Sequence, residues 1–535
     1  MHCKMYMALV SILSVFFLFP FSISFAQDTP LRAQLLGDAI IVDDGDTTNI
    51  GGVSVAHNST DNEYRIVWFD SRITGQNDVY SQRMDVDGTL LGSNVTIISG
   101  ADSQSDTGIA YDPLLNQYLI TWKNQSGAPG SPGFNHTFGA IASADGGLVG
   151  SALDLSNAGL ERTVVFNPSA NEYFFTARNF AGGGTAGIYG RRVSSSGAIV
   201  GSNITLSTLG APAPCGAMAY DSNHNRYLST WRNQSDSNLK ARLVNADGTF
   251  AGAEFLVSSL FPESGLASGV AFDPIHDRYL VLFSEFCAGG IYGQFVDSSG
   301  ALSGPLLTLV ETTAERWQPS LAYDPVNAVY LVAWSGSDTG SMTAQLLYDD
   351  GSLAGEAVEL IHPGFSSLPL IAADTTAGGF LVAWADRKYD PPEAFHVLGQ
   401  RIAVAPSYLV ADQQTLSARY GGIVNLQLAA GAANGNRNYI VLGSASGTSP
   451  GTLLPGGQAT LPLNWDIFTD LVLQLLNTPV FAGFLGTLDS SGEAGAQSYA
   501  PPLPAAAVGT QLDFAFTMNN PFDFASNAEH VEIVN

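Results

Sequence analysis

Along most of the chain, short apolar runs are broken by small polar turns, and the runs recur in one order. A small apolar strand leads into Tyr or Phe, then Asp and Pro. A short polar turn follows, and a Tyr opens a second apolar strand that ends in an aromatic residue. The clearest copies span Ile109–Trp122 and Leu321–Trp334. The terminal column falls at Trp68, Trp122, Ala177, Trp231, Phe283, Trp334 and Trp384, at spacings of 54, 55, 54, 52, 51 and 50 residues. Each copy has a second half, as in Ile188–Leu206 and Ile291–Leu309: an alternating strand, a Ser-Gly or Asp-Gly turn, and another strand. Asp87–Gly88, Asp247–Gly248 and Asp350–Gly351 fill that turn, where a positive φ is wanted. Asp-Pro suits the first turn, because Pro sets φ and Asp bonds the amides that follow.

Two hairpins per repeat make four antiparallel strands, and seven such repeats predict an all-β fold, a seven-bladed β-propeller over residues 33–404. The seventh repeat runs from Leu370 to Ala403 and stops after its third strand, Val397–Ile402. Its fourth strand is expected from the N-terminus, because Leu36–Val42 matches Leu91–Ile98. That pairing closes the ring, where the alternative, an open β-solenoid, leaves a bare edge.

These blades, reading Ala-Tyr-Asp-Pro with Tyr-Leu-Val-x-Trp and then Ile-Tyr-Gly-Gln, resemble a class of exported bacterial propeller proteins. The resemblance covers about residues 33–404 and implies a fold; its residues are core and turn residues and carry no activity. WD40, kelch and quinoprotein signatures do not match. After Pro406 the repeat ends. Alternating runs at Gly422–Leu428, Tyr439–Leu442 and Gln511–Thr517, separated by Gly and Pro clusters, predict a small β-sandwich over 407–535. With Leu442–Gly451, this tail is similar to a C-terminal domain of planctomycete-like exported proteins. Attachment or partner binding is one expectation for it, a stabilising end-cap the other.

Residues 1–26 read as a signal peptide. Lys4 precedes an apolar run from Ala8 to Phe21 that is too short for a good membrane span, and Ser24–Ala26 offers a small-x-small cleavage site. The mature chain is therefore expected to be secreted, extracellular or periplasmic, with no membrane span. Export makes a disulfide between Cys215 and Cys287 conceivable, two buried thiols being the alternative. Asn-x-Ser/Thr sequons occur at Asn58, Asn94, Asn124, Asn135, Asn203 and Asn233.

Charge narrows the partners. In 535 residues there are 21 Lys and Arg against 48 Asp and Glu, a net charge of −27. That argues against nucleic acid, which needs basic surface. No HExxH, CxxC, EF-hand or GxSxG motif appears, so no cofactor is expected; Asp43, Asp44 and Asp46, or Asp102 and Asp106, are candidate oxygen ligands for Ca²⁺. His57, His224 and His276 fall at the first hairpin turns and are expected at the surface.

In a propeller, the loops before the first strand and after the second emerge on one face. Repeat columns place Asp70, Arg72, Lys123, Arg178, Arg232, Glu285, Asp386, Arg387 and Lys388 after second strands. Arg162, Glu263, Arg316, Trp317 and His362 precede first strands. An acidic protein that gathers cations on one rim attracts anions, and Arg grips carboxylates or sulfates bidentately. Trp317 suits stacking on a sugar ring. The competing reading pairs Arg72 with Asp70 and Arg387 with Asp386 inside their loops. Three functions follow. One is a non-enzymatic binding protein whose rim takes an anionic glycan or a protein partner. Another is a polysaccharide lyase using Arg316, His362 and Arg387, or a hydrolase using Glu263 and Glu285. The third is a structural surface or matrix protein. Fold alone does not choose among them.

Overall fold

The structure, a computed structural model, describes residues 30–43, 49–72, 76–100, 102–125, 134–156, 159–179, 187–207, 216–233, 236, 238–259, 266–284, 290–311, 316–336, 341–361, 365–366, 368–387 and 395–535. The signal-peptide segment, Asp44, Asp46, Cys215, Glu263, Glu285, Cys287, His362 and Lys388 lie outside them. Two compact units are present, Leu31–Ser407 and Tyr408–Asn535.

The first unit is an all-β array of repeated four-stranded antiparallel sheets of the propeller type. Its first sheet is typical: Ile50–Asn58, Glu63–Asp70, Asp78–Asp85 and Leu90–Ile98 pair in chain order. Five further sheets repeat this through Leu353–Ile361. The last sheet holds Leu370–Ala373, Phe380–Arg387 and Phe395–Pro406, and its outer edge is taken by Leu31–Leu35 and Ile40–Ile41. The N-terminal strand thus starts five residues before the expected Leu36. Leu36 to Asp38 instead forms a break, with Gly37 at φ 72°. Gly92 repeats it at φ 73°, where the outer strand of the first sheet slips register between Val95 and Leu91. A Cβ strains at such a φ, which explains the recurring Leu-Gly.

The repeat residues now have jobs. Asp112 Oδ1 accepts the amides of Leu114 at 2.8 Å and Leu115 at 3.2 Å, and Asp273 and Asp324 do the same in their own turns. All three are fully buried. The Gln of Ile-Tyr-Gly-Gln lies at the register slip between third and fourth strands: Gln294 Nε2 donates to the carbonyls of Phe295 at 3.1 Å and Ser303 at 3.2 Å. Its amide supplies a bond where the ladder parts.

Neighbouring sheets are joined by the same residues. Tyr279 Oη donates to Asp221 Oδ2 at 3.0 Å, and Asn167 Nδ2 donates to Tyr227 Oη at 2.9 Å. Arg192 Nη1 reaches the Asp247 carbonyl in the next sheet's turn at 2.8 Å. Arg401, at the matching position of the last sheet, reaches the Val86 carbonyl of the first sheet at 2.9 Å. Trp68, Ile66 and Met84 of the first sheet share one buried cluster with Leu381, Ala383 and Val397 of the last. His57, expected at the surface, is buried at the end of its strand against Asp374, because the last sheet covers it.

The second unit packs two sheets face to face. One pairs Leu409–Ala411, Gly422–Ala429, Glu493–Ala500 and Phe481–Ala482. The other pairs Thr415–Ser417, Glu529–Val534, Gln511–Met518, Asn438–Ser444 and Leu485–Thr487. Val424, Leu426 and Leu428 meet Val441, Phe514 and Phe516 in its core. A helix that strand periodicity does not suggest, α1 (Ile467–Gln474), follows Asp466, whose carboxylate accepts the Phe468 and Thr469 amides while Thr469 caps it in return. The signal was local: Asp466-x-x-Thr469 is a capping box before an apolar run. Among the described residues, no helix is long and apolar enough to cross a membrane.

Candidate functional site

The register puts the candidate rim cations at one end of their sheets, opposite the Asp turns. Arg178 pairs with Gly159 and Ile188, Arg232 with Leu239, Arg387 with Phe365 and Phe395, and Lys123 with Ser105 and Thr137. Arg316 begins its strand opposite Gly336, and Trp317 lies opposite Ser335. Arg162 lies in Gly159–Asn167 between the register points Leu160 and Val164. Arg232 is half-buried. The side chains of Arg162, Arg178, Arg316, Trp317 and Arg387 are outside the described residues, as is the Cys215–Cys287 question.

Two of the described rim cations, Arg72 and Lys123, hold carboxylates. Arg72 Nη2 lies 2.6 Å and Nε 2.8 Å from Asp70 Oδ2, and Nη1 donates to Asn94 Oδ1 at 3.1 Å. Asp70 is fully buried and also accepts Trp68 Nε1 at 2.8 Å. The guanidinium sits 4.4 Å from the Tyr80 ring centre, and Tyr80 stacks on Trp68. Burial, with Asp70 and Asp78, pushes the Tyr80 hydroxyl up to about 12. Arg72 therefore balances a buried charge; an incoming anion has to compete with Asp70. Lys123 Nζ lies 2.7 Å from Asp106 Oδ2, both partly exposed.

The described candidate calcium carboxylates, Asp43, Asp102 and Asp106, are engaged too. Asp43 accepts the Val397 amide at 2.8 Å and faces His396 Nδ1 at 3.3 Å, tying the N-terminal segment to the last sheet. Burial raises its carboxyl above the ordinary value. Asp102 accepts Asn124 Nδ2 at 3.1 Å, and Asp106 holds Lys123.

One mixed cluster was not anticipated. Asp221, His224 and Asp277 bring a ligand atom each within 4.8 Å of one another, a donor set of the kind that takes a divalent cation. His224 Nδ1 lies 3.1 Å from Asp221 Oδ2 and 3.3 Å from Asp277 Oδ1. However, Arg226 Nε already lies 3.0 Å from Asp221 Oδ2. The arrangement also recurs one sheet on, where His276 stands between Asp273 at 2.7 Å and Asp349 at 3.1 Å. A cation already present, and an Asp-His pair that repeats in register with its third partner in the next sheet, mark it as a joint between sheets.

The second unit carries a groove that repeat analysis missed. It measures about 540 Å³ and lies over the sheet of Gly422–Ala429 and Glu493–Ala500. Asp412, Asn425, Gln427, Gly495 and Gln497 line it. The alternation Ile423-Val-Asn-Leu-Gln was the available signal: Val424 and Leu426 face the core, so Asn425 and Gln427 face out. Its partner strand, Glu493–Ala500, has little apolar pattern to betray it.

By sequence, no protein-family model and no curated protein matches the chain. Solved structures similar to it include a Dyadobacter fermentans protein of unknown function (9% identity, 70% of this chain and 99% of that one, TM-score 0.42). Kuenenia stuttgartiensis hydrazine synthase is similar at 10% identity (68% and 97%, TM-score 0.45). The intramolecular trans-sialidase of Ruminococcus gnavus is similar at 10% identity (68% and 96%, TM-score 0.39). Likeness at this level carries nothing about activity.

Proposed function

We propose that this chain is an exported, non-enzymatic recognition protein whose first unit closes as a seven-bladed propeller and binds an acidic glycan at its cationic sheet ends. The observation that carries the reading is a shared sheet end: Lys123, Arg178 and Arg232 each directly follow the terminal column of their second strand, Arg387 lies two positions further along its own, and Arg316 with Trp317 opens a fifth sheet at that end. In a ring those ends face one way and add their fields, which is how an acidic protein concentrates anions locally. Closure is supported by the Arg401–Val86 bond, by His57 against Asp374, and by the core shared between last and first sheets. Export is supported by Lys4, the Ala8–Phe21 run and Ser24–Ala26. At Arg72 and Lys123 an acidic ligand competes with Asp70 and Asp106; Arg162, Arg178, Arg232, Arg316 and Arg387 are the further cations of the proposed surface, with Trp317 as its stacking face.

A glycan array probed with the chain at low and high salt tests this. Expected is salt-sensitive binding to uronate or sulfated glycans, weakened at least about tenfold by Arg178→Ala with Arg387→Ala. No acidic ligand on the array, or binding indifferent to salt and to that pair, rejects it.

A further inference from the structure

We propose that the groove of the second unit is an independent binding site for an uncharged glycan. Its floor is the outer face of two paired strands. Ile423 stands opposite Tyr499, Asn425 opposite Gln497, and Gln427 opposite Gly495. The polar pair in the middle is wired. Asp412 Oδ1 accepts the Asn425 amide at 2.8 Å, and Asn425 Nδ2 donates to Asp412 Oδ2. Gln497 Nε2 then donates to Asn425 Oδ1 at 2.8 Å.

This chain of bonds sets both amides. Asp412 is acceptor-only when ionised, so Asn425 turns its nitrogen toward it and its oxygen toward Gln497. Gln497 in turn gives its nitrogen to Asn425, which leaves its carbonyl oxygen and second N–H for a ligand. Donors and acceptors held in place on a sheet bind without the loss of rotamer freedom that free side chains suffer. Asn425, Gln427 and Gln497 are all solvent-exposed, so the network is displayed and not buried.

The chemistry selects the ligand. Paired amide donors and acceptors match the neighbouring hydroxyls of a sugar. Beyond the lining residues, on the same strand face, Tyr499 (42% exposed) and Ile423 (48% exposed) stand opposite one another and offer apolar surface next to the groove. Among the described residues, Asp412 lines the groove and no Lys or Arg does, so an anion meets no counter-charge from them. No peptide strand enters between the two floor strands: Gly422–Ala429 is already paired with Glu493–Ala500 at eight successive positions. Gly495 leaves open space, since a Cβ there meets nothing within 4 Å.

The test is affinity electrophoresis of the full chain in gels holding xylan, mixed-linkage β-glucan or galactomannan, with polygalacturonate as the acidic comparison. At least one neutral polymer is expected to retard the chain, and raised salt leaves the retardation unchanged. Asn425→Ala with Gln497→Ala is expected to weaken it at least about tenfold. Gly495→Phe fills the groove without removing a bond and is expected to do the same, which keeps the test decisive if the double variant misfolds. Arg178→Ala with Arg387→Ala leaves it intact, separating this site from the sheet-end reading. Failure of every neutral polymer, or groove variants that migrate like the parent, overturns the proposal.

Discussion

His57 Nε2 lies 3.4 Å from Asp374 Oδ1, a contact between the first sheet and the last. Thr375 donates its amide to His57 Nδ1 at 3.3 Å, so the neutral ring carries its proton on Nε2, toward the carboxylate. Tyr64 packs against the ring at 5.2 Å. Burial holds the His57 pKa below 6.5, with the Asp374 charge opposing it. A depressed histidine pKa means that the unfolded chain takes up the proton first. The stability it contributes is present above the unfolded value, near pH 6.5, and is lost as pH falls through the folded one. The melting temperature is thus expected to drop on acidification through that range, and to drop less in His57→Gln. Parallel profiles for parent and variant reject the assignment.

Arg72→Ala is expected to destabilise the first unit by about 3–5 kcal/mol, because it strands the fully buried Asp70 charge. Adding Asp70→Asn to the same chain removes that charge and is expected to recover part of the loss. Urea unfolding of the two variants measures this; a surface-like effect under about 1 kcal/mol for Arg72→Ala contradicts the geometry.

Ala328 adopts φ 54° in its turn, where the matching residues of other sheets are Asn62, Asn116, Asn171, Asn225 and Asp277. Asn tolerates this left-handed conformation better than Ala. Ala328→Asn is expected to stabilise by about 0.5–1 kcal/mol, read as a raised urea midpoint at unchanged slope. A lowered midpoint counts against it.

Deleting residues 31–41 removes the strands paired to Phe395–Pro406 and takes the fully buried Ala33 from its cluster. The bare edge left behind is expected to lower the melting temperature and to promote association on gel filtration. An unchanged melt and elution volume exclude a closing role for this strand.

Much of the first unit was legible because its repeat residues act locally. An Asp that bonds the next two amides, a Gly at positive φ and alternating strands need only near neighbours, so Asp112, Gly88 and Trp122 announce their places. The N-terminal boundary was less legible. Leu36–Gly37 copies the break inside an outer strand, and the preceding Leu31–Leu35 lacks any motif. Of the site, columns of residues placed Lys123, Arg178, Arg232 and Arg387 at the end of their second strands, because strand register follows from sequence spacing.

By itself the sequence determined the four-strand repeat, its count of columns, the excess of acid and which Arg and Lys follow each second strand. Only the tertiary structure decided what those side chains meet. Arg72 faces Asp70 and Asn94 because a turn folds back on its own sheet. His57 is buried because residues more than 300 positions away cover it. The groove exists because Asn425 and Gln497, 72 residues apart, fall opposite one another across two strands. Such pairings depend on which strands become neighbours, and long-range neighbourhood leaves no trace in local spacing.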